Sequence, residues 1–99
     1  MVSALSRHPR TAWRVLGGKA VVVSVDQGRM YTLSASATKI WEALATPRTL
    51  EELARVLMDA YGIDEARARE DCERFLEDLQ AKGLVVVENA PQPDATVRE

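Results

Sequence analysis

The chain reads as an α+β domain in which a three-stranded antiparallel sheet packs on a three-helix bundle of winged helix-turn-helix form, in the order βββααα. Three observations predict this. Residues rich in β-formers stand on both sides of Gly17-Gly18, a pair that supplies the positive φ angles of a tight hairpin. In residues 29–44 the apolar spacing switches from alternation at Tyr31 and Leu33 to Ala37, Ile40, Trp41, Leu44, the i, i+3, i+4, i+7 stripe of a helix. Helix punctuation then recurs, with Thr49 and Asp64 placed as N-caps and Gly62 and Gly83 as terminators.

In chain order, residues 1–10 carry no periodicity and are expected to be an N-terminal arm. The domain is expected over residues 11–87. Residues 11–16 and 19–25 form the first hairpin, and Asp26-Gln27-Gly28 is expected to make a three-residue loop closing on a bulge before a third strand at 29–33. Pairing across these turns is expected to place Val21, Val23, Tyr31 and Leu33 on one face and Trp13, Val15, Val22, Met30 and Thr32 on the other, subject to a one-residue slip at the bulge. Both faces then carry apolar groups, so the one with Trp13 and Val22 is a candidate surface for self-association, making a homodimer one option, or for enzyme docking.

The third strand runs into the first helix without a loop, capped by Ser34 or Ser36. Thr46-Pro47 ends that helix, and Thr49-Leu50-Glu51-Glu52 is a capping box that starts the second. Its inward stripe is Leu53, Val56, Leu57 and Ala60. The third helix buries Ala68, Cys72, Phe75, Leu76 and Leu79 and ends at Gly83, with Leu79 and Leu84 spaced for the apolar contact of a glycine C-cap. A short strand at 84–87 follows, and residues 88–99, with Pro91 and Pro93, are expected to be a flexible tail.

The composition excludes several classes of function. Ninety-nine residues with 46% hydrophobic and 28% charged side chains suit one folded domain. A net charge of −2 gives no general attraction to polyanions. The apolar runs are too short to span a bilayer, no signal peptide opens the chain, and the single Cys72 forms no internal disulfide, so the expected location is the cytoplasm without membrane attachment. His8 is the only histidine and sits beside Pro9 in the arm, leaving no held general base and no histidine pair for a metal. Cys72 lies on an inward stripe and reads as a structural thiol. No catalytic activity, cofactor or metal is expected.

The helix-turn-helix spacing raises DNA binding by a winged-helix transcription regulator as the alternative function. Between Asp64 and Lys82, however, seven acids stand against four bases. A helix lying among phosphates needs the opposite balance, so no nucleic-acid partner is expected.

The third strand has no proline and no lysine, the residues that commonly blunt an edge. An extended peptide could add to it and place alternate side chains against the third helix. About four or five backbone bonds at roughly 1 kcal/mol each fall short of the roughly 8 kcal/mol of a micromolar complex, so apolar pockets and charge pairing must supply the rest. Arg67, Asp71, Arg74 and Asp78, at i, i+4, i+7, i+11 beside the core stripe, form the candidate polar wall, and Met30 and Thr32 are expected to contribute from the strand.

These residues resemble the PqqD family, the small peptide-recognition proteins of ribosomal peptide natural-product pathways. The resemblance covers residues 8–87. It is carried by Tyr31-Thr32-Leu33-Ser34, by Ala37 to Trp41, by Thr49-Leu50-Glu51-Glu52-Leu53, and by Asp71, Phe75-Leu76, Leu79 and Gly83-Leu84. Ser34 stands where an asparagine is expected and can cap equally well. The resemblance implies a non-catalytic chaperone that binds the leader of a precursor peptide between third strand and third helix and delivers it to a modifying enzyme such as a radical S-adenosylmethionine protein, a cyclase or a leader peptidase. Carried over by position, the peptide contacts fall on Arg29, Met30, Tyr31, Thr32 and Leu33 and on Arg67, Asp71, Arg74, Phe75 and Asp78.

Overall fold

Gly17 and Gly18 take φ angles of 60° and 81°, the left-handed pair that lets two strands reverse in two residues. Around this turn the computed structural model, which describes residues 2–90, pairs β2 (Thr11–Leu16) with β3 (Lys19–Ser24). β3 in turn pairs with β4 (Arg29–Thr32), giving an antiparallel sheet of order β2-β3-β4. Three helices follow: α1 (Ala35–Ala43), α2 (Leu50–Tyr61) and α3 (Glu65–Ala81).

The expected arm at residues 1–10 is instead largely a strand, β1 (Val2–Arg7), antiparallel to the C-terminal β5 (Val85–Ala90). The reason is burial. Leu5 is part of the core, opposite Val87, and its backbone also exchanges two hydrogen bonds with Arg48 in the loop between α1 and α2 (2.7 and 3.0 Å). The expected tail is corrected in the same way: residues 88–90 belong to β5, and only 91–99 lie outside the described residues.

The loop between β3 and β4 holds four residues, 25–28, not three, because Ser24 already pairs with Arg29. Its Gly28 N–H donates to the Ser24 carbonyl (2.9 Å). The extra residue shifts the register, so the expected faces change. Val22 lies opposite Trp13 and Tyr31, while Val21 lies opposite Thr32 and Val23 opposite Met30. Ala20, Val22, Leu33 and the half-buried Tyr31 therefore share the inner face with Trp13; Val21, Val23, Met30 and Thr32 share the outer one. Val22 is consequently no contact surface, whereas Trp13 remains 39% exposed. Val22 is fully buried, and Trp13 packs edge-on against Trp41 with ring centroids 6.1 Å apart. The Arg7 guanidinium sits 4.4 Å from the Trp13 ring centre and 5.0 Å from that of Trp41, and donates to the Trp41 carbonyl (2.7 and 3.0 Å) near the end of α1.

The helices begin where the caps predict. The hydroxyl of Ser34, not Ser36, accepts from Ala37 N, Thr49 and Glu52 close a reciprocal capping box, and the Asp64 carboxylate accepts from Arg67 N. In α2 the buried residues are Leu53, Ala54 and Leu57, with Leu50 and Met58 packed beside them, so the stripe is rotated away from the expected Val56 and Ala60. α3 buries Ala68, Cys72, Leu76 and Leu79, with Phe75 at the margin of the core. Leu84 N donates to Leu79 O and Gly83 N to Gln80 O, both at 2.9 Å, the paired bonds of a Schellman motif.

Candidate functional site

The junction from β4 to α1 is built by replacing one ladder bond. Leu33 N donates to Ala20 O (2.8 Å), but Ala20 N donates to the Thr38 hydroxyl on α1 (2.8 Å). Thr38 thus holds the helix against the sheet at the residue where the strand leaves it. Because backbone groups alternate along a strand, the Leu33 bond fixes Tyr31 and Arg29 as turned towards β3 and Met30 and Thr32 as turned to the other side. On that side β4 has no strand neighbour among the described residues.

The far end of this edge is tied to the end of α3. The Tyr31 hydroxyl donates to Gln27 Oε1 (3.1 Å), and Gln27 Nε2 donates to Lys82 O (3.0 Å). Gly83 leaves room for that amide: a Cβ there would stand 2.5 Å from Gln27 Nε2. Lys82 Nζ lies 5.4 Å from the centre of the Tyr31 ring and donates to Asp78 Oδ2 (2.6 Å). Asp78 therefore acts at the junction between β4 and the C-terminal end of α3, through Lys82.

The other end of the α3 wall is organised by Asp71. One of its oxygens accepts from Arg74 Nη2 (2.6 Å) and the other from Arg67 Nε (3.3 Å). The Asp71 side chain is 14% exposed while those of Arg67 and Arg74 are 64% and 62%, so the carboxylate is the fixed member and the two guanidinium groups stand in solvent around it. Arg67, Asp71 and Phe75 line a cavity of about 200 Å³ together with Leu57, Tyr61 and Ile63. Apolar walls beside an ion pair suit an apolar side chain with a polar neighbour.

The ten candidate residues thus divide into groups. Arg67, Asp71, Arg74 and Phe75 meet at the N-terminal half of α3. Tyr31 and Asp78 meet through Gln27 and Lys82 at its C-terminal end. Arg29, Met30 and Thr32 are exposed on β4, but the side chains of Met30 and Thr32 lie on the outer face, away from α3. What those two present at the edge is backbone. Leu33 is 3% exposed, so its side chain belongs to the core. The residues missed from the sequence are Gln27, Thr38 and Lys82. Their polarity at loop and helix ends was visible, but their partners lie 55, 18 and 51 positions away, counted from Gln27 to Lys82, Ala20 to Thr38 and Tyr31 to Lys82.

Comparison with solved structures returns the same fold. A structure described as TbiB1 in complex with the TbiA(beta) leader peptide superposes with a TM-score of 0.75 at 21% identity, covering 88% of this chain and 99% of that one. The solution structure of the PqqD truncation of Methylobacterium extorquens PqqCD, described as a functional and stand-alone recognition element for ribosomally synthesised and post-translationally modified peptides, gives a TM-score of 0.69 at 19% identity, covering 84% and 88%. No curated protein sequence matches. The family model for coenzyme PQQ synthesis protein D matches residues 19–85, which run from the start of β3 through all three helices to the first residue of β5. The chain belongs to the PqqD family.

Proposed function

We propose that this protein binds the leader segment of a ribosomally synthesised precursor peptide as an added strand on β4 and presents it to a modifying enzyme, without chemistry of its own. The observation that carries this reading is the β4 edge: its Met30 and Thr32 backbone groups are turned away from β3, beside a helix whose wall holds a cavity and an ion-pair cluster. Both similar structures support it, one by the leader peptide in its description and the other by its description as a recognition element.

In this reading Met30 and Thr32 supply the backbone bonds, and Tyr31 lines the groove. An apolar leader side chain enters the cavity beside Phe75, and Arg67 and Arg74, held by Asp71, meet a leader carboxylate at its rim. The enzyme is a radical S-adenosylmethionine protein, a cyclase or a leader peptidase.

The test is a titration of a labelled synthetic leader, taken from a short reading frame next to a modifying-enzyme gene, and in parallel of mixed duplex DNA at low salt. Saturable leader binding with amide shifts along Arg29 to Thr32 is expected. Leader binding that leaves β4 unperturbed, or DNA binding in preference to leader, would overturn the reading.

A further inference from the structure

The flank of α3 turned away from the wall of Arg67, Asp71, Arg74 and Asp78 carries a second groove. Glu73, Leu76, Glu77 and Gln80 follow i, i+3, i+4, i+7 on that flank, with the buried Cys72 and Leu79 stripe between the two sides. Together with Leu5 of β1, Leu50 at the start of α2 and Val87 of β5 they line an open cavity of about 380 Å³. Val87 is 53% exposed, an apolar side chain left in water where β5 passes α3.

Charge selects what fits there. Among the described residues Glu73 and Glu77 enter no ion pair, and Arg69, one turn before Glu73 on the same flank, is engaged by Glu51 at 3.2 Å. Two unneutralised carboxylates one helical turn apart, about 6 Å along the axis, border an aliphatic floor. A second copy of this chain would bring the same acids against each other in a two-fold contact. The chain's own residues 91–99 carry Asp94 and Glu99 against Arg98 and are also net acidic.

We propose that this groove docks a helix of the modifying enzyme that presents an aliphatic stripe flanked by Lys or Arg at i, i+4 spacing. Because it lies across α3 from β4, the enzyme helix and the leader occupy the domain at the same time, each on its own flank of one helix. The inference adds a second contact to the leader-binding reading and does not share its residues.

The probe is a synthetic amphipathic helix with a leucine stripe flanked by lysines at i, i+4, compared with the same helix carrying glutamate at each lysine. Methyl resonances of Leu5, Leu50 and Val87 are expected to shift with the lysine helix and not with the glutamate helix. Glu73→Lys combined with Glu77→Lys is expected to weaken that binding at least about ten-fold, the order expected when two attractive surface pairs become repulsive, while the synthetic leader binds this variant as before. Both substitutions are at exposed positions, and an unchanged thermal transition verifies the fold. Lysine-helix shifts confined to the β4 groove, no shifts at these methyls at millimolar peptide, equal binding of the two helices, or a concentration-dependent dimer that buries Val87 would each overturn the proposal. The leader titration in the same samples reports separately on the first reading.

Discussion

Two outer strands of this molecule meet the same hazard in opposite ways. β1 pairs with β5 on one side, and on the other the loop between α1 and α2 closes over it through the two Leu5–Arg48 backbone bonds. β4 pairs with β3 on one side and has no strand on the other among the described residues. An uncovered edge invites other strands, and proteins that do not use one commonly blunt it. Here the covered edge carries a core leucine and the uncovered one carries exposed Arg29, Met30 and Thr32. The contrast separates an edge that holds the domain together from an edge that is available to a guest.

Cutting the covered edge sharpens this contrast most. Leu5→Ala removes a buried side chain and is expected to cost about 3 kcal/mol, lowering the thermal midpoint by more than about 10 °C, while leader affinity measured well below that midpoint stays as it was. Thermal unfolding by circular dichroism and calorimetric titration check the two halves. A fall in leader affinity as large as the fall in stability would break the distinction.

The uncovered edge should behave in reverse. Thr32→Pro removes an N–H turned away from β3 and is tolerated where a strand faces no neighbour. Leader affinity is expected to fall at least about ten-fold through the lost bond and the ring standing in the peptide's path, with the midpoint shifted by only a few degrees. Unchanged affinity by the same calorimetric titration would remove β4 from the binding site. A smaller effect is expected from Asp71→Asn, which releases Arg67 and Arg74 from their shared carboxylate. Leaders carrying acids near the apolar anchor should gain a few-fold in affinity, on the scale of exposed ion pairs, and their binding should become more sensitive to salt. Anisotropy titrations at two salt concentrations measure both.

The same two edges show what the sequence could and could not reveal. β2, β3, β4 and the caps of all three helices are specified by neighbours in the chain: Gly17-Gly18, the Thr49 to Glu52 box, Asp64, and the Leu79–Leu84 spacing around Gly83. β1 has no such signal. Its strand is created by Val85 to Ala90, more than eighty positions away at its open end, so residues 1–10 offered nothing to count. The exchange of sheet faces has a local cause, a loop of four residues where Asp26-Gln27-Gly28 suggested three; in a period of two, one residue moves every side chain across the sheet. For the candidate site, helical spacing grouped Arg67, Asp71 and Arg74 correctly on one face. It could not show that Asp71 is the least exposed of the three, nor that Gln27 and Lys82 join β4 to α3, because both depend on packing between distant segments.

The finest probe of the helix that separates the two flanks is its single thiol. Cys72 is fully buried on the inward stripe of α3 and its pKa is raised from 9.0 to about 11, chiefly by burial, with the Asp71 charge adding to it. A thiol that resists ionising only in the folded state binds its proton more tightly there than in the unfolded chain. Its contribution to stability is therefore complete below the unfolded value, near pH 9, and is lost as pH rises through about 11. Stability measured by urea unfolding should decline across that window in the native protein and decline less in Cys72→Ala, after allowing for the uniform cost of the smaller side chain. At pH 8 iodoacetamide should react with Cys72 only as fast as the protein opens, since the neutral thiol is a poor nucleophile. Rapid alkylation of the folded protein would mean that α3 parts from the core often enough to couple its two flanks, and the separation of leader and enzyme contacts drawn from their geometry would then fail.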